Sequence, residues 1–249
     1  MRTLVEARWL RGAACVLVLG VFSTSTVANG QSVAVTAQVE FTGRKLDKQS
    51  APDASNVVVW LTPPAPERQT AAASSSRALP RLVQQNKAFS PHVLVVQMGE
   101  LVQFPNKDRF LHNVFSLYDG KRFDLGFYEA GSSKSVRFDR PGVSFLFCNI
   151  HPEMSAAVVV VDTPYFALSG ANGRIEIPAV PEGKYNLHVW SEQGMPAELK
   201  ALERQLTITT SAHDLGTIRV KANPEFTVEH KNKYGQDYVP PSSTDYTRP

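Results

Sequence analysis

The sequence predicts an all-β protein, and three observations support this prediction. Aromatic and β-branched residues occur in short alternating runs, such as VAVTAQVEFTG at residues 33–43, and a period of two is typical of half-buried strands. Seventeen prolines and fifteen glycines provide frequent turns between such runs. A hydrophobic content of 43% and a charged content of 20% are ordinary for a globular protein, and 249 residues are enough for one or two domains.

Residues 1–28 are predicted to be a secretory signal peptide. Three arginines flank the start of an apolar run of eleven residues, Gly12–Phe22, which is too short to span a bilayer. Thr26-Val27-Ala28 then offers a small-residue cleavage site. Removal of this segment leaves 23 basic and 22 acidic side chains, a near balance that predicts neither nucleic-acid nor membrane-surface binding. We therefore expect a periplasmic or secreted protein that begins near Asn29.

The rest of the chain divides by composition into five segments. Residues 33–62 contain two predicted strands, and residues 63–80, rich in Pro, Ala and Ser, are predicted to be a flexible linker. Residues 81–162 contain about seven strand-like runs, the density of a Greek-key β-sandwich. Residues 163–222 continue the β texture with different turns. Residues 223–249 are polar, without periodicity, and are predicted to be a disordered tail.

The segment FCNIHPEM at residues 147–154 brings three soft donors into one short loop: Cys148, His151 and Met154. Without residues 1–28, Cys148 is the one remaining cysteine. An unpaired thiol in an oxidising compartment is a liability unless it is buried, paired with another chain or bound to a metal. Thiolate, imidazole and thioether together favour copper, and a mononuclear electron-transfer site needs two His, one Cys and a weak axial Met. The loop supplies three of these four ligands.

The second imidazole has to come from elsewhere in the chain. We choose His112, because it follows the loop FPNKDRFL and precedes a strand, HNVFS. The other histidines lie on an entering strand, beyond the sandwich or in the tail: His92, His188, His213 and His230. The alternatives for the cluster are an inert buried Cys148, an ordinary hydrogen-bonded His112 and Met154 as core filling.

The pair HNVFS and CNIHPEM resembles the cupredoxins, and most closely the amicyanin-like proteins, which share the short Cys-x2-His-x2-Met loop. Plastocyanin-like loops carry more residues between His and Met. The resemblance covers residues 81–162, about a third of the chain, and includes the preceding run LVVQMGELVQFPNKD. It implies a blue-copper Greek-key sandwich with one mononuclear copper ion.

Carried over position by position, the resemblance implies imidazole ligation by His112 and His151, thiolate ligation by Cys148 and axial ligation by Met154. Asn113 matches the asparagine that braces the two ligand loops by hydrogen bonding in that family, and its alternative is a plain turn residue. The family also implies a periplasmic dehydrogenase as electron donor and a c-type cytochrome as acceptor.

Two further expectations concern the surroundings of the copper. We expect His151 to present its ring edge at the surface as the electron port, because the loop is short. We expect Phe145 and Phe147 to pack around the site and to exclude water.

Residues 163–222 contain GANGRIEIPAVPEGKYNLHVW, which resembles the carboxypeptidase regulatory-like, or prealbumin-like, β-sandwich. The first two strands of that module are missing from 163–222, and the strands of residues 33–62 are candidates for them. In the alternative, 33–62 adds strands to the copper domain.

We therefore expect an exported type 1 copper protein that carries single electrons, and not an enzyme, because four protein ligands leave no position for a substrate. One alternative function is copper delivery or storage without electron transfer. Another is a structural cell-surface β-protein in which the prealbumin-like module is the working part.

Overall fold

The computed structural model describes residues 31–43, 53–64, 78–117, 120–227 and 230–238. The predicted signal peptide and most of the predicted linker lie outside these residues. The prediction of an all-β fold is confirmed, since the described residues form sixteen strands and one short helix. In chain order the elements are β1 (Ser32–Thr42), β2 (Val58–Thr62), β3 (Val83–Gln85), β4 (Ala88–Ser90), β5 (Val93–Gln97), β6 (Leu101–Pro105), β7 (His112–Ser116), β8 (Phe123–Tyr128), β9 (Ser133–Arg137), β10 (Gly142–Phe147), β11 (Ser155–Val161), β12 (Phe166–Leu168), β13 (Arg174–Pro181), β14 (Gly183–Trp190), α1 (Pro196–Ala201), β15 (Arg204–Ile208) and β16 (Asp214–Lys221).

Strands β3 to β11 build one group of sheets around the predicted ligands. Five of them form a sheet in the order β5-β11-β10-β7-β8. The hairpin β3-β4 and the pair β6-β9 form two further small sheets, and two isolated bridges, Arg81 to Gln103 and Gln84 to Asn106, join the chain around β3 to the chain around β6. Alternate residues of these strands, together with residues directly beside them, fill a shared core that includes Phe104, Phe138, Leu146 and Met154.

The remaining strands form a second group with its own core. Strand β1 lies between β13 and β16, antiparallel to the first and parallel to the second. Strand β2 lies between β12 and β14, with β15 at the edge of that sheet. The strands of residues 33–62 therefore pair with the segment 163–222, as in the first of the two arrangements considered above. The apolar faces of both sheets meet in one cluster that includes Val39, Leu61 and Ile177.

Strand β11 connects the two groups, because both of its faces are buried. Ala156, Val158 and Val160 point into the core around the ligands. The alternate residues Ala157, Val159 and Val161 form a third cluster with Val58 and Val93, against which Trp60, Phe145 and Trp190 pack. Burial on two sides explains why β11 reads as an uninterrupted apolar run, AAVVVV, and not as an alternating one.

None of the helices among the described residues is long and apolar enough to cross a bilayer.

Candidate metal centre

Three strands of the five-stranded sheet bring the predicted ligands together. Strand β10 pairs antiparallel with β7 on one side and with β11 on the other. The start of β7, the end of β10 and the start of β11 therefore meet at one edge of the sheet. His112 is the first residue of β7, Cys148 directly follows β10, and His151 and Met154 lie in the turn that leads into β11.

The donor atoms of three of these residues form a compact, buried group. Cys148 Sγ lies 3.7 Å from His112 Nδ1 and 3.5 Å from His151 Nδ1. All three donor atoms lie within 4.8 Å of one another. Cys148 and His112 are fully buried, and His151 is 2% exposed. The loop and the distant strand thus bring three soft donors to one point.

These distances fit a first-row metal ion bound between the donors. Bonds of about 2.3 Å to sulfur and about 2.0 Å to nitrogen, opened by roughly 110–120°, place the two donor atoms about 3.5–3.7 Å apart. Both measured sulfur–nitrogen separations lie in this range. Two imidazoles with one thiolate are the in-plane donor set of a mononuclear copper site.

The Cys148–Met154 loop is closed by its own backbone. The amide of Cys148 donates to the carbonyl oxygen of Met154 at 3.2 Å, and the amide of Met154 donates to that of His151 at 3.1 Å. The side chain of Met154 is fully buried and belongs to the same core cluster as Cys148. Axial ligation by Met154 stays a prediction.

Asp108 fixes the orientation of His112, and the sequence analysis missed it. His112 Nε2 lies 2.7 Å from Asp108 Oδ2, so the ring donates its Nε2 proton to the carboxylate and leaves the Nδ1 lone pair facing Cys148. Asp108 also accepts from the backbone amides of Asn86 and Lys87, at 2.6 and 3.0 Å, in the turn of the β3-β4 hairpin. The carboxylate therefore ties a ligand histidine to a neighbouring turn. Its position four residues before His112 is the one signal for it in the sequence.

The protonation of the metal-free site follows from burial. Burial raises the pKa of the Cys148 thiol, and the backbone N–H groups of Asn113, Ile150 and His151 oppose this rise. Burial, and then the nearby His112, lowers the pKa of His151 to about 4. At neutral pH the site therefore holds a neutral His151 and a protonated thiol, and metal binding would release the thiol proton.

Two expectations about the surroundings are wrong. The His151 ring is not presented at the surface, since the residue is 2% exposed. Phe145 packs at the junction of the two sheet groups, 6.3 Å from the Trp190 ring, and not at the ligands. The aromatic side chain beside the ligands is Phe110, whose ring centroid lies 5.1 Å from that of His112 and 5.5 Å from that of His151.

Asn113 is fully buried next to the ligands, but its side chain bonds in a different direction from the one expected. Its Nδ2 donates to Asp124 Oδ1 on β8 at 2.7 Å. The other oxygen of Asp124 lies 2.8 Å from Lys233 Nζ, in the segment predicted to be a disordered tail. The side chain of Asn113 therefore connects to the Cys148 loop through Asp124 and Lys233, while its backbone N–H bonds the Cys148 thiol directly.

Two of the other histidine candidates, His92 and His188, are held by contacts elsewhere. His92 lies 2.5 Å from Glu192 through Nε2 and 3.1 Å from the Ser155 carbonyl oxygen through Nδ1. The ring of His188 stacks on Trp60. Among the described residues, the group of side chains that could hold a metal ion consists of His112, Cys148 and His151.

No protein-family model matches the chain, and no curated protein matches it. Several solved structures resemble about a third of it, and three of them follow. A Cu-containing nitrite reductase (NirK) from Thermus scotoductus SA-01 has a TM-score of 0.33 and 23% identity over 34% of this chain and 23% of its own. A purple cupredoxin from Nitrosopumilus maritimus has a TM-score of 0.30 and 23% identity over 33% of this chain and 99% of its own. A mutant of amicyanin with Cu(I) has a TM-score of 0.32 and 20% identity over 35% of this chain and 88% of its own.

The chain therefore spans less than a quarter of the length of the nitrite reductase. Because all three identities lie below 25% and all three TM-scores near 0.3, we base the metal assignment on the donor atoms and their distances.

Proposed function

We propose that this protein binds one copper ion through His112, Cys148 and His151, with Met154 as the axial ligand, and carries single electrons. The observation that carries the proposal is the buried group of one thiol and two imidazole nitrogens, spaced as a trigonal metal site requires. Copper bound there supplies a one-electron couple. The residues of the chain hold the ligands, exclude water and fix the tautomer of His112.

Burial and rigidity favour electron transfer over copper delivery. Delivery requires a receiving protein to reach the metal and replace its ligands, whereas Cys148 and His112 are fully buried here. His112 is held by Asp108, and the Cys148–Met154 loop is closed by two backbone hydrogen bonds. A site held in this way rearranges little between two oxidation states and exchanges its metal slowly.

We also propose the setting of this function. The leader-like residues 1–28 support export to the periplasm or the cell exterior, and mature protein from that fraction should begin near Asn29. A dehydrogenase as electron donor and a c-type cytochrome as acceptor are the partners that the amicyanin-like loop suggests. The role is that of a carrier and not of an enzyme, because a fourth ligand from Met154 leaves no open position for a substrate.

The pairing of β1 and β2 with later strands supports one interrupted sandwich. In this proposal the copper domain, residues 81–162, is inserted into a second sandwich formed by 33–62 and 163–222. The resemblance of that second sandwich to carboxypeptidase regulatory-like modules stays a prediction.

Repeated redox cycling in the presence of a copper chelator tests the proposal. The protein from Asn29 onward is loaded with Cu(II), reduced and reoxidised several times, and the copper it retains is measured. An electron carrier keeps its copper and regains its oxidised spectrum in every cycle. Binding of Cu(I) alone, with transfer to the chelator faster than electron exchange, would contradict the proposal and favour delivery.

A further inference from the structure

A short C-terminal segment, residues 230–238, lies against the loop that carries Cys148; we name it the C-terminal clasp. Tyr238 Oη donates to the carbonyl oxygen of Cys148 at 2.6 Å. The ring of His230 lies on that of Phe147, the residue before Cys148, with 4.1 Å between centroids and 32° between planes. The clasp thus contacts the chain on both sides of the proposed thiolate ligand. The prediction of a disordered tail over residues 223–249 therefore does not hold for residues 230–238.

Lys233 connects the clasp to both of the chain segments that supply ligands. Its backbone amide donates at 2.9 Å to Oδ1 of Asn149, the residue that directly follows Cys148. Its Nζ lies 2.8 Å from Asp124 Oδ2, and Asp124 in turn accepts from Asn113, which follows His112. One residue of the clasp therefore joins the Cys148 loop to the strand that begins with His112.

The clasp also has internal structure. Asn232 Oδ1 accepts from the backbone amides of Tyr234 and Gln236, at 2.9 and 3.0 Å. The backbone amide of Asn232 donates to the carbonyl oxygen of Gln236 at 2.9 Å. Tyr238 Oη lies 3.2 Å from His230 Nδ1, which brings the two ends of the clasp together. The segment is therefore a folded turn held at several points.

We propose that the clasp is a working part of the metal centre: it holds the Cys148 loop closed, slows metal exchange and shields the thiol. The slowing of metal exchange rests on the proposed copper site, but the shielding of the Cys148 thiol exists with or without a metal. Opening the loop requires the loss of the Tyr238 and Lys233 hydrogen bonds and of the His230–Phe147 contact. Since each such contact changes an equilibrium severalfold, we expect loop opening to become about 10- to 100-fold more frequent without the clasp.

The thiol of the metal-free protein provides the first test. In the chain from Asn29 onward Cys148 is the one cysteine, so its rate of reaction with a disulfide reagent reports the opening of this loop. We expect Tyr238→Phe and Lys233→Met each to raise this rate severalfold. Lys231→Met is the matched control at an exposed position of the same segment, where Lys231 pairs with the exposed Asp237, and it should leave the rate within about twofold.

Two truncations test the whole segment. Removal of 228–249 should raise the thiol rate about 10- to 100-fold, whereas removal of 239–249 should not. The urea midpoint of each variant separates local opening from global unfolding, because the clasp lies outside both cores and its loss should leave the midpoint nearly unchanged. Equal thiol rates in the wild type, Tyr238→Phe and the longer truncation would overturn the proposal, even if the protein binds copper as proposed.

Copper release to a chelator is the second readout. The same variants should release copper faster in the same order as their thiol rates. If the protein binds no copper but the variants show the expected thiol rates, the proposed copper site is refuted and the proposed shielding of the thiol by the clasp is supported. Unchanged copper release alongside faster thiol reaction would show that the clasp does not retain metal, and would overturn that part of the proposal.

Discussion

Replacement of Asp108 by asparagine tests whether the metal site depends on a carboxylate behind His112. The Asp108 carboxylate is largely buried and accepts three hydrogen bonds, from the amides of Asn86 and Lys87 and from His112 Nε2. Asparagine keeps the shape, but its NH2 group replaces one acceptor oxygen. One donor or more then loses its partner, and the remaining bonds lose the negative charge.

The magnitude follows from these contacts. A hydrogen bond to a charged group contributes about 1.5–3 kcal/mol, so the loss of one bond and the weakening of two should lower the free energy of unfolding by roughly 2–4 kcal/mol. The effect on the metal is separate: without the carboxylate the His112 ring is free to change tautomer and its Nδ1 becomes less basic. Changes to such outer hydrogen bonds typically weaken metal affinity about 10- to 100-fold.

The assay is a competition titration of Cu(II) against a chelator of known affinity, with urea unfolding measured in parallel. Asp139→Asn is the matched control, because Asp139 is an exposed aspartate of the same domain that pairs with Lys121. We expect Asp108→Asn to bind copper about 10- to 100-fold more weakly, with a changed visible spectrum, and Asp139→Asn to match the wild type. A folded Asp108→Asn protein with unchanged copper affinity and spectrum would refute the positioning role and leave Asp108 a purely structural residue.

Three further predictions concern the axial ligand, the pH dependence and the domain boundary. Met154→Leu should keep the colour and raise the reduction potential in voltammetry, because a weak donor to Cu(II) is lost; an unchanged potential would argue against ligation. Because the pKa of His151 is lowered to about 4 in the folded protein from 6.5, the unfolded chain takes up the extra proton between these values. The metal-free protein should therefore lose on the order of 3 kcal/mol of stability as the pH falls from 7 to 4, as measured by urea unfolding at each pH. A stability that does not change with pH in the wild type, or an equal loss in His151→Ala, would contradict the assignment of this loss to His151. The fragment 81–162 should fold and bind copper but self-associate in sedimentation, because removal of the second sandwich exposes the apolar face of β11 that carries Val159. An unfolded fragment would show that the copper domain depends on the second sandwich.

The sequence was informative about the site wherever the chemistry is local. The spacing of Cys148, His151 and Met154 within seven residues predicts one loop, and the alternating runs on either side predict the strands that hold it. His112 could be chosen because it starts a strand after a loop. The three donors that the structure brings together are those that the sequence indicated, and Met154 lies buried beside them.

The features that the sequence did not predict depend on contacts between distant segments. Asp108 is held by a hairpin turn about twenty residues earlier, and its position four residues before His112 is the one sign of their contact in the local sequence. The clasp has no hydrophobic period, because hydrogen bonds and aromatic contacts hold it instead of an apolar face. The second buried face of β11 follows from its packing against Val58 and Val93, and the apolar run alone does not identify these partners.

Visible absorption after addition of one equivalent of Cu(II) tests the central claim most directly. A copper–thiolate bond at Cys148 should give strong visible absorption and a narrow copper hyperfine splitting in the wild type. Cys148→Ala should abolish the colour, His112→Ala should shift it, and the control His92→Ala should leave it unchanged. A wild type that stays colourless under oxidant, or a Cys148→Ala protein that keeps its absorption, would contradict the copper site described above.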